Sequence, residues 1–292
     1  MAFIFCVLRD DTAMQAQQRR HLMHRCAFCA MGIGLWGPTA WAREGVEVGE
    51  TSQFANLVPA EEVEKSALQQ YRQMLQQAAS KNALGPDHHP QVIRLRDIAR
   101  RIIPNSFGWN DRARHWQWEV NLIGSNQINA FCMPGGKIAF YTGILKQLDL
   151  TDDEVAMVMG HEVAHALREH ARERMGKSTA TQGLARLGGA VVAGILGISP
   201  QITDLVAREG ANLLTLKFSR EDETEADLVG MELAARSGFN PQAGVSLWQK
   251  MSAANQNTPP QWLSTHPSGE SRIRQIEANL PKVLPLYHQS QH

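Results

Sequence analysis

Residues 151–175 read TDDEVAMVMGHEVAHALREHARERM. Thr151, with Glu154 three residues on, has the form of a capping box and predicts where a helix starts. The helix formers that follow carry the pattern on for about 25 residues. His161-Glu162-Val163-Ala164-His165 lies in its middle. Positions i and i+4 of a helix are neighbours on one face, so the two imidazoles can share one cation. Glu162, beside them, is placed to take a proton from water. Among 11 histidines in 292 residues, an accidental HExxH is expected on the order of a few times per hundred such chains. Context strengthens the motif, because Val155, Val158 and Leu167 mark an apolar face. Buried polar groups there would be costly without a metal. The bland alternative is a surface helix with two solvated histidines.

Two imidazoles leave a hydrolytic zinc one protein ligand short. The acidic run Ser219-Arg220-Glu221-Asp222-Glu223-Thr224-Glu225-Ala226-Asp227 is the best source. Ser219 with Asp222 predicts another helix start, and Glu223 and Asp227 lie four apart on one face. Glu223 would complete a His₂Glu set. Asp227, a turn later, would accept the other ring N–H of a ligand histidine and fix its tautomer. The alternative for this run is a solvated acidic face.

Upstream of the HExxH helix the period changes. Trp116–Ile123 alternates apolar and polar residues as a strand does. Two more strand-like runs, Ile128–Met133 and Lys137–Thr142, flank Pro134-Gly135-Gly136, which predicts a hairpin-like reversal. Residues 60–84 and 91–103 predict two helices, the second stopped by Pro104. Downstream, 183–198 is Gly/Ala-rich and apolar, a buried helix or a mobile lid over a cleft. Residues 241–254 and 269–280 predict two more helices. The sum is an α+β fold, mostly helical, with a small β-sheet preceding the HExxH helix.

Composition narrows the function. Lys+Arg and Asp+Glu are 29 each, so the formal net charge is +0. That gives no electrostatic footprint for nucleic acid or an anionic membrane. Hydrophobic residues are 43% and charged residues 20%, which is ordinary globular usage and excludes whole-chain disorder. Residues 1–42 read as an export leader: Arg19, Arg20 and Arg25, then the mostly apolar run Cys26–Ala40, then Ala40-Trp41-Ala42 as a cleavage signal. An uncleaved anchor or a buried helix is the alternative. Three of four cysteines lie in that leader, leaving Cys132 alone in the mature chain and no intrachain disulfide.

The HExxH, the Ser219-Arg220-x-x-Glu223-x-x-x-Asp227 segment and Ser264-Thr265-His266-Pro267 together resemble the zinc endopeptidases of the HtpX and CAAX-prenyl-protease group, peptidase family M48. Asn129-Ala130-Phe131, Pro134-Gly135-Gly136 and Thr142-Gly143 match the strand segment ahead of that family's catalytic helix. The resemblance covers roughly residues 90–280 and is strongest to the soluble periplasmic branch that includes BepA and LoiP. It implies a gluzincin-type protease, and with the leader reading the expected domain bounds are 1–42 (leader), 43–89 (extension and helix) and 90–292 (metallopeptidase). It implies one Zn²⁺ per chain on His161, His165 and Glu223, Glu162 as general base, and Asp227 behind a ligand histidine. His266 matches a family histidine over the metal, there to steady an oxyanion or to close the site; a turn histidine before proline is the plain alternative. Arg272 matches the family's Ser-Arg-Ile run, with a solvated or a structural salt-bridge role equally open. Lys137, Ile138, Ala139 and Phe140 are expected to form an edge strand that holds substrate by its main chain, or else a core strand. His88, His89 and His170 are expected at the surface.

By the same resemblance, substrates are misfolded or misassembled envelope polypeptides, including outer-membrane proteins, and partners extend to outer-membrane assembly machinery. The expected location is the periplasm. The membrane-spanning helices of the HtpX type and the tetratricopeptide tail of the BepA type are missing from this sequence. A non-cleaving assembly factor and a structural zinc protein are the rival readings.

Overall fold

The computed structural model describes residues 44–187, 213–257, 260–266 and 270–292. The expected leader, 1–42, lies outside the described residues, as does 188–198 of the Gly/Ala-rich segment. A short 3-10 helix, Gln53–Leu57, leads into α1 (Ala60–Ser80) and α2 (Pro90–Ser106). The His89 side chain accepts from the Gln91 N–H to cap α2. Pro104 was expected to stop α2 but sits within its last turn.

Three strands follow: β1 (Glu119–Ile123), β2 (Ala130–Met133) and β3 (Lys137–Tyr141). The reversal at 134–136 forms as expected, with Gly135 and Gly136 at φ +85° and +74°, a region that favours glycine. β2 therefore pairs antiparallel with β3, while β1 pairs with β3 parallel, giving the order β1-β3-β2. This corrects the expectation for Lys137, Ile138, Ala139 and Phe140. All four are buried in the central strand, whose main chain is paired on both sides, so β3 offers no free edge. The edges are β1, whose outer side is partly paired by Leu84 and Gly85, and β2.

The alternating pattern of 116–123 predicts one wet face, yet Val120–Ile123 are all buried. The reason is that helices cover both faces. Ile123, Phe131, Met133 and Ala139 pack with Val63, Ala67 and Tyr71 of α1. Val120, Leu122, Ala130, Ile138 and Phe140 join the larger core beneath. The Tyr71 hydroxyl reaches through to donate to the Ile138 carbonyl at 2.6 Å.

After α3 (Thr142–Gln147) comes the HExxH helix, α4 (Asp152–Leu167), opened by the expected Thr151–Glu154 capping box. It is shorter than the pattern suggests. Arg168 caps it, Glu169 takes a left-handed φ of +59°, and α5 (His170–Leu187) starts afresh. The acidic helix is α6 (Arg220–Arg236), capped reciprocally by Ser219 and Asp222. It is followed by α7 (Ala243–Asn257), α8 (Gln261–Thr265) and α9 (Glu270–Gln289), which runs past the expected end at 280. Residues 44–292 form one unit, with α4 at its centre and α6 packed against it.

Candidate metal centre

Residues 154–167 of α4 are buried on every face, polar ones included. The helix is thus a core element carrying His161, Glu162 and His165 in its interior. Where α4 crosses α6, Gly160 and Gly230 meet backbone to backbone. A Cβ on Gly160 would lie 2.5 Å from the Gly230 carbonyl oxygen. That close approach brings the first turns of α6 over the histidine pair.

Glu223 faces both imidazoles: its Oε2 is 3.6 Å from His161 Nε2 and its Oε1 3.5 Å from His165 Nε2. His266, from the end of α8, closes the group. One ligand atom from each of His161, His165, Glu223 and His266 lies within 4.8 Å of the others, all buried. His161 Nδ1 lies 3.0 Å from Asp227 Oδ1. A carboxylate accepts only, so Nδ1 carries the proton and Nε2 offers a lone pair. The His266 ring is oriented likewise: Nδ1 lies 3.2 Å from the Trp262 carbonyl, which again accepts only. Glu223 Oε1 and His266 Nε2 are buried with no hydrogen-bond partner. Buried acceptors converging without donors are costly, and a divalent cation is what satisfies them. Soft imidazole nitrogens with one carboxylate suit zinc.

Burial dominates the electrostatics. It pushes His161 down to about 4 against the pull of Asp227, and holds His165 and His266 well below the usual imidazole range. All three are therefore neutral, as ligation requires. Burial pushes Glu162 up to about 8, opposed by the Trp262 indole, whose Nε1 donates to Oε1 at 2.6 Å. Glu223 rises to about 9 for the same reason, with Arg272 opposing. Asp227 goes the other way, to about 2, because Arg272 and His161 outweigh its burial. Arg272 from α9 is thus no solvated residue. It is buried, donates to both Asp227 oxygens at 2.6 Å and to Glu223, and lies over the Trp248 ring.

The site holds residues that sequence reasoning passed over. Trp262, one turn before His266, touches Glu162 and stacks on the His266 ring at 4.8 Å. Phe218 stacks on His165 at 4.0 Å. His170, expected at the surface, is buried with its Nδ1 2.8 Å from His165 Nδ1. A cleft of about 750 Å³, solvent at its mouth included, opens beside Glu162, His165 and His266. Residues Asn129–Pro134, which include all of β2, line one wall; Ala166, Leu213, Leu216 and Phe218 make part of the rest.

The sequence profile of peptidase family M48 matches residues 91–280. The mitochondrial metalloendopeptidase OMA1 of Schizosaccharomyces pombe is 35% identical over 200 residues, 68% of this chain and 56% of that protein. Its Saccharomyces cerevisiae counterpart is 30% identical over 217 residues, 70% of this chain and 60% of that protein. The β-barrel assembly-enhancing protease of Escherichia coli is 31% identical over 179 residues, 58% of this chain and 36% of that protein. The chain thus spans between about a third and three-fifths of the length of these relatives. With two α4 imidazoles, the α6 carboxylate and the α8 imidazole all converging in the matched region, the chain belongs to peptidase family M48 and carries a complete metallopeptidase site.

Proposed function

We propose that this protein is a zinc endopeptidase that hydrolyses peptide bonds in misfolded or misassembled envelope polypeptides, outer-membrane proteins among them. The convergence of His161, His165 and Glu223 beside a buried Glu162 carries the reading. Zinc held by those three residues supplies a Lewis acid that polarises the scissile carbonyl and makes water a better acid. Glu162 takes the proton from water and returns it to the leaving amine. Burial favours its protonated form, which suits the donating step, and the charge of a cation beside it would favour the carboxylate that accepts. Asp227 keeps His161 in its ligating tautomer.

Substrate capture belongs to β2. Its Asn129 side is bound to β3 through the Tyr141 N–H. In the alternation of an antiparallel ladder, the main-chain groups of Ala130 and Cys132 then face the cleft. An extended peptide pairing there is read by its backbone, which suits unfolded chains. The periplasm is the proposed location. The leader-like residues 1–42 support it; the E. coli relative's name speaks of β-barrel assembly, and the OMA1 relatives' names carry a mitochondrial setting. No helix among the described residues is long and apolar enough to cross a membrane. Mass measurement of the mature N-terminus checks the leader; an intact residue 1 in exported protein would sink it.

His266 favours a second reading, a latent form. With Nδ1 donating to Trp262, a neutral ring has only an acceptor at Nε2, so in this conformation it suits a fourth ligand better than an oxyanion donor. Zinc content and unfolded-casein cleavage separate the readings. Glu162→Gln keeps wild-type zinc and loses about 10²–10⁴-fold in cleavage. Equal cleavage by the variant removes Glu162 as the base. Bound zinc with no cleavage by either protein favours the latent or non-cleaving form.

A further inference from the structure

On an unbroken helix, His170 would point well away from His165, five residues before it. The chain reversal at Arg168–Glu169 returns it to the interior, where it is 1% exposed. There it bridges His165 and Glu225: Nδ1 is 2.8 Å from His165 Nδ1, and Nε2 is 3.1 Å from Glu225 Oε2. Glu225 is held in turn by Arg168. A carboxylate accepts only, so the His170 proton sits on Nε2 and its Nδ1 is a lone pair. His165 must then donate from Nδ1, which leaves its own Nε2 as a lone pair. That atom lies 3.0 Å from His161 Nε2, itself a lone pair because of Asp227. Two lone pairs at that distance repel each other, and a cation between them turns the arrangement favourable.

We propose that His170, anchored by Glu225, is a positioning residue that locks His165 in the zinc-binding tautomer. It does for the second imidazole what Asp227 does for the first. The proposal rests on the metal-centre reading above. Glu225 belongs to the same acidic helix as Glu223 and Asp227, so α6 supplies a ligand, the outer partner of His161 and the anchor of His165's outer partner. The cost of losing such an outer partner is metal affinity, typically 10–100-fold.

The test is zinc affinity of the full chain by competition with a chromophoric chelator. His170→Phe keeps the ring volume and removes the acceptor. It is expected to weaken zinc binding by about 10–100-fold. His170→Asn, whose Oδ1 can stand near the Nδ1 position, is expected to recover most of that loss. Wild-type affinity in the Phe variant, or equal impairment in both, would overturn the proposal. Should the Phe variant fail to fold, ¹⁵N NMR of the imidazoles in metal-free wild type decides. The expected result is His165 protonated on Nδ1 and His170 on Nε2. A His165 protonated on Nε2, as when a doubly protonated His170 donates to it, would overturn the lock while leaving the metal site standing. A wild-type chain that binds no zinc would overturn both.

Discussion

At the scale of single residues, Trp262 ties the general base, the His266 ring and the lead-in to β2 together. Its indole donates to Glu162, its ring stacks on His266, its carbonyl accepts from His266, and its N–H donates to the Ile128 carbonyl just before β2. A hydrogen bond to a charged group is worth about 1.5–3 kcal/mol, and about 1.4 kcal/mol is tenfold in rate. Trp262→Phe keeps the stack and removes the donor. It should lower kcat by about tenfold without changing zinc content. The indole holds Glu162 below where burial alone would put it, so the acidic limb of the pH–rate profile should also move to higher pH. A variant with wild-type kcat and an unmoved limb would show that the bond does nothing for the base. Neither this contact nor that of His170 is legible in the sequence. Trp262 meets a residue 100 positions away, and His170 turns inward only because Glu169 breaks a helix that its composition would continue. His161, Glu162, His165, Glu223 and Asp227 were legible, because i and i+4 on a helix fix geometry locally.

At the scale of elements, the crossing of α4 and α6 sets the distance between the histidine pair and Glu223. A Cβ on Gly230 would meet the His161 nitrogen at 2.5 Å and the Gly160 carbonyl carbon at 2.7 Å. Alanine gains about 1 kcal/mol over glycine within a helix. Here the opposing atoms are backbone and cannot turn aside, so the overpacking cost of about 1–3 kcal/mol or more wins. Gly230→Ala should lower Tm and weaken zinc binding together, because α6 carries Glu223 away as it yields. Gly108→Ala, where a Cβ meets nothing within 4 Å, is the control and should change neither. A Gly230→Ala protein with raised Tm and unchanged zinc affinity would mean the crossing is looser than its atoms indicate. Helix starts at Thr151 and Ser219 were readable from their capping partners, and the turn at 134–136 from its glycines. Strand order was not. The run 137–141 has the same apolar character in a central strand as at an edge, and only the parallel pairing with β1, 18 positions upstream in register, makes it central.

At the scale of the whole molecule, the metal-free fold holds ionisable groups that folding pushes in opposite directions. Glu162 and Glu223 are raised from 4.5 to about 8 and about 9. A group raised on folding contributes stability below its unfolded value and loses it as pH climbs through the folded one. Their contribution therefore drains away between roughly pH 4.5 and 9. His161, lowered from 6.5 to about 4, does the reverse: its contribution is complete above 6.5 and disappears as pH falls toward 4. His165 and His266 shift in the same direction. Between pH 4.5 and 6.5 the two sets oppose each other. Above 6.5 the histidines are silent and the carboxyls act alone, so the metal-free protein should lose stability steadily toward pH 9. Each kcal/mol lost lowers Tm by about 2–4 °C in a chain of this size. Bound zinc takes the place of the protons on Glu223 and stabilises by RT ln(1 + [Zn]/Kd). Calorimetry from pH 6.5 to 9 should therefore show a falling Tm in chelator and a much flatter line in excess zinc, the two diverging as pH rises. Parallel lines would mean that zinc does not replace the burial penalty of Glu223, and would place the metal away from that carboxylate.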